Sequence, residues 1–379
     1  MSSLKQVCGV LVLGLSVAWA LVPRPALSHG AVTTTVLFDR EIVRILNNRC
    51  VACHMDGGIA FPLSTYEQTW VRGRSIRTEI LRHHMPPWAA VSGYGDFINE
   101  NGLTLRETQF LVSWVEGLGP RNAGTVFLNV SDPQARAREE VRALAHVGHW
   151  QLGDPDLVRP VEARRVEVGQ GDFVRRSIID PGLTSERGIR AVEYMPGDRR
   201  VVRAVVFSVQ PTGQWLGSWT PWYGFTKLPR GVGMHLAPGS RIAADVYYRS
   251  TNEPVVDRGS IGLFLADRAD AKTRPDLVLN ATADASGTFR ATVPVTSDAH
   301  VWALRPAIDG AVASLEVSAR RADGGTDILL YARDASTEWP TPYILKQPVL
   351  IRRGTQMSFV ARMKEGTGGK AVRMVVARY

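Results

Sequence analysis

The five residues Cys50-Val51-Ala52-Cys53-His54 constrain this chain more than any other stretch of it. Two thiols three positions apart can add to the two vinyl groups of one haem, and a histidine directly after the second is held beneath the iron. A redox-active dithiol is the competing reading of the same spacing. That chemistry is normally sought beside a βαβ pattern, whereas the flanks here read as helical. The remaining cysteine, Cys8, lies in the apolar run Val7 to Val22, behind Lys5 and ahead of the small residues Ala26-Leu27-Ser28. This pattern predicts a signal peptide over 1–28, cleaved after Ser28, which would discard Cys8 and place the chain in the periplasm. An uncleaved anchor is the alternative, but the run is short for a membrane span, and no other segment is long and apolar enough.

With 379 residues, 45% of them hydrophobic, 35 Gly and 22 Pro, the chain has the length of two or three loop-rich folded domains. Its formal charge of +9 includes Lys5 and Arg24 of the leader. The basic residues are mostly arginines spread along the chain without a dense block or a reader motif, so no nucleic-acid partner is expected. A basic face that docks an acidic redox protein fits the same distribution. Membrane association is expected only through a partner or an uncleaved leader.

The part from 29 to 120 reads mainly helical. Asp39 begins a stretch with Ile42, Ile45 and Leu46 on one face, which ends near Asn47-Asn48. A second helix is expected from Thr65 to Leu81, and Pro86 and Pro87 then force the chain out of helix. Thr104 and Glu107 make a capping box for a last helix with Phe110, Leu111, Trp114 and Val115 on its apolar face; Gly117 and Gly119 stop it. After a linker or polar helix over 121–145, the character changes to short alternating segments between Gly, Pro and Asp turns. The candidate strands are Arg164–Val168, Val201–Val209, Arg241–Tyr248, Ile261–Leu265, Thr288–Val295, His300–Leu304, Ser314–Ala319, Ile328–Ala332 and Met357–Ala361. Without long helices between them, these predict antiparallel sandwiches, one over 146–272 and a second over 273–379.

A second iron ligand must come from elsewhere in the fold. Met85, in the rigid Met85-Pro86-Pro87-Trp88 segment, is the candidate; its thioether would raise the reduction potential relative to two histidines. Core packing is the plainer role for Met85, and His83 and His84 are rival ligands. Trp88 either packs on the macrocycle, hydrogen-bonds a propionate, or belongs to an ordinary core.

Leu37 to Gly119 resembles the cytochrome c domain found at the front of bacterial proteins whose remainder is similar to copper type II, ascorbate-dependent monooxygenases of the peptidylglycine-hydroxylating class. The motifs are Cys50 to His54, Pro62-Leu63-Ser64-Thr65-Tyr66-Glu67, Met85-Pro86-Pro87-Trp88 and the Trp114 helix; the resemblance continues through Trp150 to Asp156, Leu228 to Ser240, Gly259 to Phe264 and Trp339 to Gly354. It implies an all-α cytochrome c domain followed by two antiparallel, jelly-roll-like β-sandwich domains, one covalent haem c on Cys50 and Cys53, and iron held by His54 and Met85. The copper histidines that the resemblance also implies are replaced by Val202-Arg203-Ala204-Val205, Val246-Tyr247-Tyr248-Arg249 and Leu304 to Gly310. Met357 and Met363 do not match the later methionine ligand, so copper is not expected. The remaining histidines His29, His146, His149, His235 and His300 read first as surface or hydrogen-bonded residues, and as copper ligands only if the fold gathers them.

The leading expectation is therefore an exported mono-haem protein that passes electrons to or within a periplasmic oxidoreductase system, docking on a redox protein or enzyme complex. A haem-coupled copper monooxygenase with a shifted metal site and a haem-containing structural subunit of a larger complex are the alternatives. The aromatic stretch Gln214 to Phe225 is either an interface anchor or core.

Overall fold

The computed structural model describes residues 34–122, 148–266, 271–336, 338–364 and 371–379. The expected leader with Cys8 and its cleavage site, His29, most of the 121–145 linker, and His146 lie outside the described residues.

A π-helical turn, Phe38–Ile42, runs into α1 (Val43–Arg49), and Ile42, Val43, Ile45 and Leu46 are all buried. Where one helix is expected from Thr65 to Leu81 there are two, α2 (Tyr66–Trp70) and α3 (Gly73–Leu81). The Arg72 amide donates to the Thr69 carbonyl at 3.1 Å, an i to i+3 bond that tightens and ends α2. α4 (Leu105–Glu116) starts from the expected box: the Glu107 amide donates to Thr104 Oγ1 and the Thr104 amide to the Glu107 carboxylate. Leu111 and Trp114 seal a small core with Phe38, Leu46, Val51 and Ile80.

The all-α cytochrome c domain expected over 29–120 does not form. No described helix there exceeds twelve residues, and the segment between α3 and α4 joins the β structure instead. Ala90 bridges to Ala332 and Phe97 to Leu345. Asn99, buried, donates to the Pro342 carbonyl at 2.6 Å and accepts from the Ile344 amide at 3.0 Å. The cause is the run of breakers Pro86 to Gly102: it frees the chain from helix and lets Trp88 and Phe97 bury against Tyr343.

The rest is β structure, predominantly antiparallel. The strands are β1 (Leu157–Pro160), β2 (Arg164–Val166), β3 (Phe173–Ile179), β4 (Arg187–Met195), β5 (Val202–Gln210), β6 (Gln214–Trp219), β7 (Phe225–Lys227), β8 (Val232–Leu236), β9 (Arg241–Tyr248), β10 (Val255–Asp257), β11 (Ser260–Leu265) and β12 (Ala271–Lys272). They continue with β13 (Leu277–Asn280), β14 (Thr282–Ala283), β15 (Thr288–Pro294), β16 (Ala299–Ile308), β17 (Val312–Arg320), β18 (Thr326–Arg333), β19 (Tyr343–Ile351), β20 (Gln356–Met363) and β21 (Val372–Arg378).

One sheet runs β1-β11-β4-β8-β12, with β7 also on β4, and a second runs β3-β9-β5-β6; inward residues of both, such as Val192, Phe207, Trp215 and Ile261, share one core. A third sheet, β13-β21-β16-β19, and a fourth, β14-β15-β20-β17-β18, share another around Leu304, Leu330, Phe359 and Met374. Burial along β15 and β20 alternates, the period expected where one face meets a core and the other water. The result is sandwich-like throughout. Trp215 and Trp219 are 0% and 2% exposed, so these members of the aromatic stretch are core residues.

Candidate functional site

The Cys50 to His54 segment caps α1. The Cys50 amide donates to the Leu46 carbonyl, and the Cys53 and His54 amides both donate back to the Cys50 carbonyl at 3.1 and 3.0 Å, closing one tight turn over the motif. The loop returns beneath it through Ala60 to the Cys53 carbonyl and Leu63 to the His54 carbonyl. Gly58 is required in this loop, since a Cβ there would stand 2.5 Å from the Cys53 carbonyl oxygen.

Both cysteines are free thiols. Burial pushes each up to about 12. A thiol that stays protonated at neutral pH is a poor nucleophile, which weighs against dithiol exchange. His54 lies edge-on to Phe61, and its Nδ1 is 2.8 Å from the Phe61 carbonyl oxygen. A carbonyl accepts and never donates, so Nδ1 carries the proton and Nε2 keeps its lone pair. Desolvation holds the ring below the usual histidine range, which also favours that neutral form.

Three guanidinium groups surround this turn. Arg72 stacks over Phe61 at 3.9 Å, Arg249 donates to the Ile59 carbonyl at 3.1 Å, and the charges of both act on His54. Arg199, largely desolvated, acts on Cys53. None of the three forms an ion pair among the described residues. Arg199 and Arg249 come from the first sandwich, where the Arg249 amide donates to the Val201 carbonyl and ties their two loops together. Sequence reasoning missed all three, because single arginines in loops carry no local signal of a shared destination.

The residues present fit a haem. They offer two adjacent unpaired thiols, one imidazole with its free nitrogen fixed by a hydrogen bond on the other, and a surplus of positive charge matching the two propionates such a group carries.

Met85 is 37% exposed and follows the end of α3, where His83 takes a left-handed conformation (φ 56°) and the His84 amide donates to the Glu79 carbonyl. His84 Nδ1 meets Glu79 at 3.1 Å. His83, His84 and Met85 line a cleft of about 980 Å³ whose lining includes none of Cys50, Cys53 and His54. Trp88 is 9% exposed and packs edge-on to Tyr343 and Phe97 in the second sandwich's core. His149 is exposed, His235 pairs with Glu186 at 2.7 Å, and His300 stacks on Tyr379. Among the described residues no group of three or more His, Cys, Asp or Glu could hold a metal ion.

The cleft also contains Asp276, whose carboxylate accepts from the Trp215 amide at 2.7 Å. Burial pushes this carboxyl up to about 6 from 3.8. Below the lower value both folded and unfolded chains are protonated. Between the two the unfolded chain releases a proton that the folded chain keeps, so stability falls as pH rises through 6. Relative to Asp276→Asn, urea denaturation of the parent chain is expected to lose about 2 kcal/mol between pH 4 and pH 7; parallel profiles would mean the carboxyl is not perturbed.

No family model matches this chain, and no curated protein does. Solved structures give weak likenesses only. The major capsid protein P2 of bacteriophage PM2 is 10% identical with a TM-score of 0.24, over 57% of this chain and 96% of that one. A Paenibacillus xanthan lyase is 11% identical with a TM-score of 0.18, over 57% of this chain and 25% of that one. Bacillus subtilis oxalate decarboxylase is 7% identical with a TM-score of 0.16, over 56% and 72%. At these scores none carries an argument. The expected membership among cytochrome c domains fused to a copper monooxygenase-like region is thereby corrected: the fold is mostly β with a few short helices, no family matches, and no metal-binding group of those four residue types is found among the described residues.

Proposed function

We propose that Cys50 and Cys53 hold one haem covalently, that His54 Nε2 is a ligand to its iron, and that the exported chain passes single electrons to a periplasmic partner. The observation that carries the reading is local: the motif residues share one turn, with His54 Nδ1 tied to the Phe61 carbonyl so that the other nitrogen is available. A haem held there supplies one-electron chemistry. Arg72, Arg199 and Arg249 would supply positive charge to neutralise propionates, and the Phe61 and Ile59 loop fixes the imidazole and two of those arginines, Arg72 and Arg249. Met85 is the candidate for the second ligand, with His83 and His84 as rivals; Trp88 serves the β core.

The test is expression of the full chain in a host that attaches haem c. The protein is expected to retain one haem through denaturation, with the pyridine adduct spectrum of two thioether links. The Cys50→Ala/Cys53→Ala variant is expected to retain none, with an unchanged far-ultraviolet spectrum. A parent chain that emerges without haem, from cells that mature a control haem protein, would sink the reading. Met85→Ala is expected to lower the reduction potential; an unchanged potential removes Met85 from the iron.

A further inference from the structure

The cleft of about 980 Å³ lies between the two sandwiches, with β3, β5 and β9 on one side and β16, β17 and β21 on the other. Its least satisfied group is Arg305 of β16. The Nε of this side chain is buried and has no hydrogen-bond partner, and no carboxylate lies within ion-pair distance of the guanidinium among the described residues. Desolvation depresses its basicity, so the surrounding water does little to hold the charge.

The acids nearest to it are otherwise engaged. Asp245 is gripped by Arg176 through two bonds of 2.7 Å, and Asp276 accepts from the Trp215 amide. Arg305 is half-buried, and a guanidinium that has no ion-pair partner within reach among the described residues and faces a cleft is satisfied by an anion that enters the cleft.

We propose that this cleft binds a small carboxylate-bearing molecule, with Arg305 as the group that receives the carboxylate. The planar guanidinium fork matches a carboxylate in shape. Carboxylates outnumber the cations Arg176, Arg305, Arg373 and Lys364 on the cleft walls, and this acidic excess opposes a doubly charged phosphate more than a singly charged carboxylate. Tyr247 lines the cleft as a neutral phenol, its ionisation suppressed by burial, and can donate a further hydrogen bond. The half-buried Trp339 ring offers an apolar wall for the rest of the molecule.

The experiment is calorimetric titration of the purified full chain with acetate, benzoate and phenylacetate, with benzamide as the uncharged counterpart of benzoate and with inorganic phosphate. At least one carboxylate is expected to bind saturably at one site and to quench tryptophan fluorescence, with benzamide and phosphate at least about tenfold weaker. Arg305→Met is expected to abolish that binding and Arg305→Lys to weaken it about tenfold, both with the parent's far-ultraviolet spectrum. The proposal is overturned if no carboxylate binds saturably, if benzamide or phosphate binds as well as benzoate, or if Arg305→Met binds as the parent does. The two variants distinguish loss of the anion contact from loss of the fold, since a methionine at a desolvated position removes a buried charge.

Discussion

Trp302→Ala is expected to lower stability by about 3–5 kcal/mol and to uncouple the two sandwiches. Trp302, on β16, is 1% exposed and stacks on Trp215 of β6, with ring centroids 5.2 Å apart and planes 20° from parallel. The first sandwich's core extends through this stack to Ala303, Ile344, Val375 and Ala377 of the second. Such an interface is packed like an interior, so urea denaturation of the parent should show one transition. Truncation to alanine removes one of the two stacked tryptophans at the seam, and two transitions should then separate. A loss below about 1 kcal/mol, or two transitions in the parent, would show that the seam is not a shared core.

The polar ends of the two rings refine this expectation. Trp215 Nε1 donates to Ser218 Oγ at 3.0 Å, whereas Trp302 Nε1 is buried without a partner among the described residues. Trp302→Phe should therefore cost less than Trp215→Phe, which leaves the buried serine hydroxyl unpaired.

What the sequence made legible follows from how far each signal reaches. The Cys50 to His54 motif and the Thr104 capping box are contained in a few residues and need nothing distant, and the structure forms both turns locally. Strands with one wet face, such as β15 from Thr288 to Pro294, stand within a residue of where alternation placed them. β4 was missed because it breaks that pattern: four consecutive residues, Ala191 to Tyr194, are buried, and one of them is Glu193. This carboxylate accepts from the amides of Gln151 and Leu152, so a charge that reads as surface is an internal cap. β19 contains Pro348, which argues against a strand, and its pairing with β16 shifts register between Val301 and Ala303. The fate of residues 88–101 was not legible, because Trp88, Phe97 and Asn99 find partners more than two hundred positions later. The arginines around His54 are hidden for the same reason: Arg199 and Arg249 arrive there only through the fold of the first sandwich.

Asp257→Ala should be the most damaging polar substitution, costing about 3 kcal/mol or more because it strands several buried donors at once. Asp257 ends β10, is 1% exposed, and accepts from the Gly197 amide at 2.8 Å, the Asp198 amide at 2.9 Å, Tyr248 Oη at 2.9 Å and Tyr194 Oη at 3.3 Å. Burial raises this carboxyl above its usual value, and the four donors act in the opposite direction. Close packing fixes the surroundings: a Cβ on Gly259 would meet Tyr194 Oη, leaving no slack for the phenol to move. The carboxylate thus pins the loop between β4 and β5, and that loop carries Arg199 to Cys53. The variant should exchange the Gly197 and Asp198 amide hydrogens faster than the parent at a pH where global unfolding is negligible. It should also weaken the positive charge at Cys53, so that in the haem-loaded protein the reduction potential falls along with the urea midpoint. Tyr248→Phe, which removes one bond and leaves the loop amides held, should cost about 1 kcal/mol and leave both the amide exchange and the potential unchanged. If the two variants behaved alike, Asp257 would be a stabilising contact only, and the placement of Arg199 would have to come from elsewhere in the sheet.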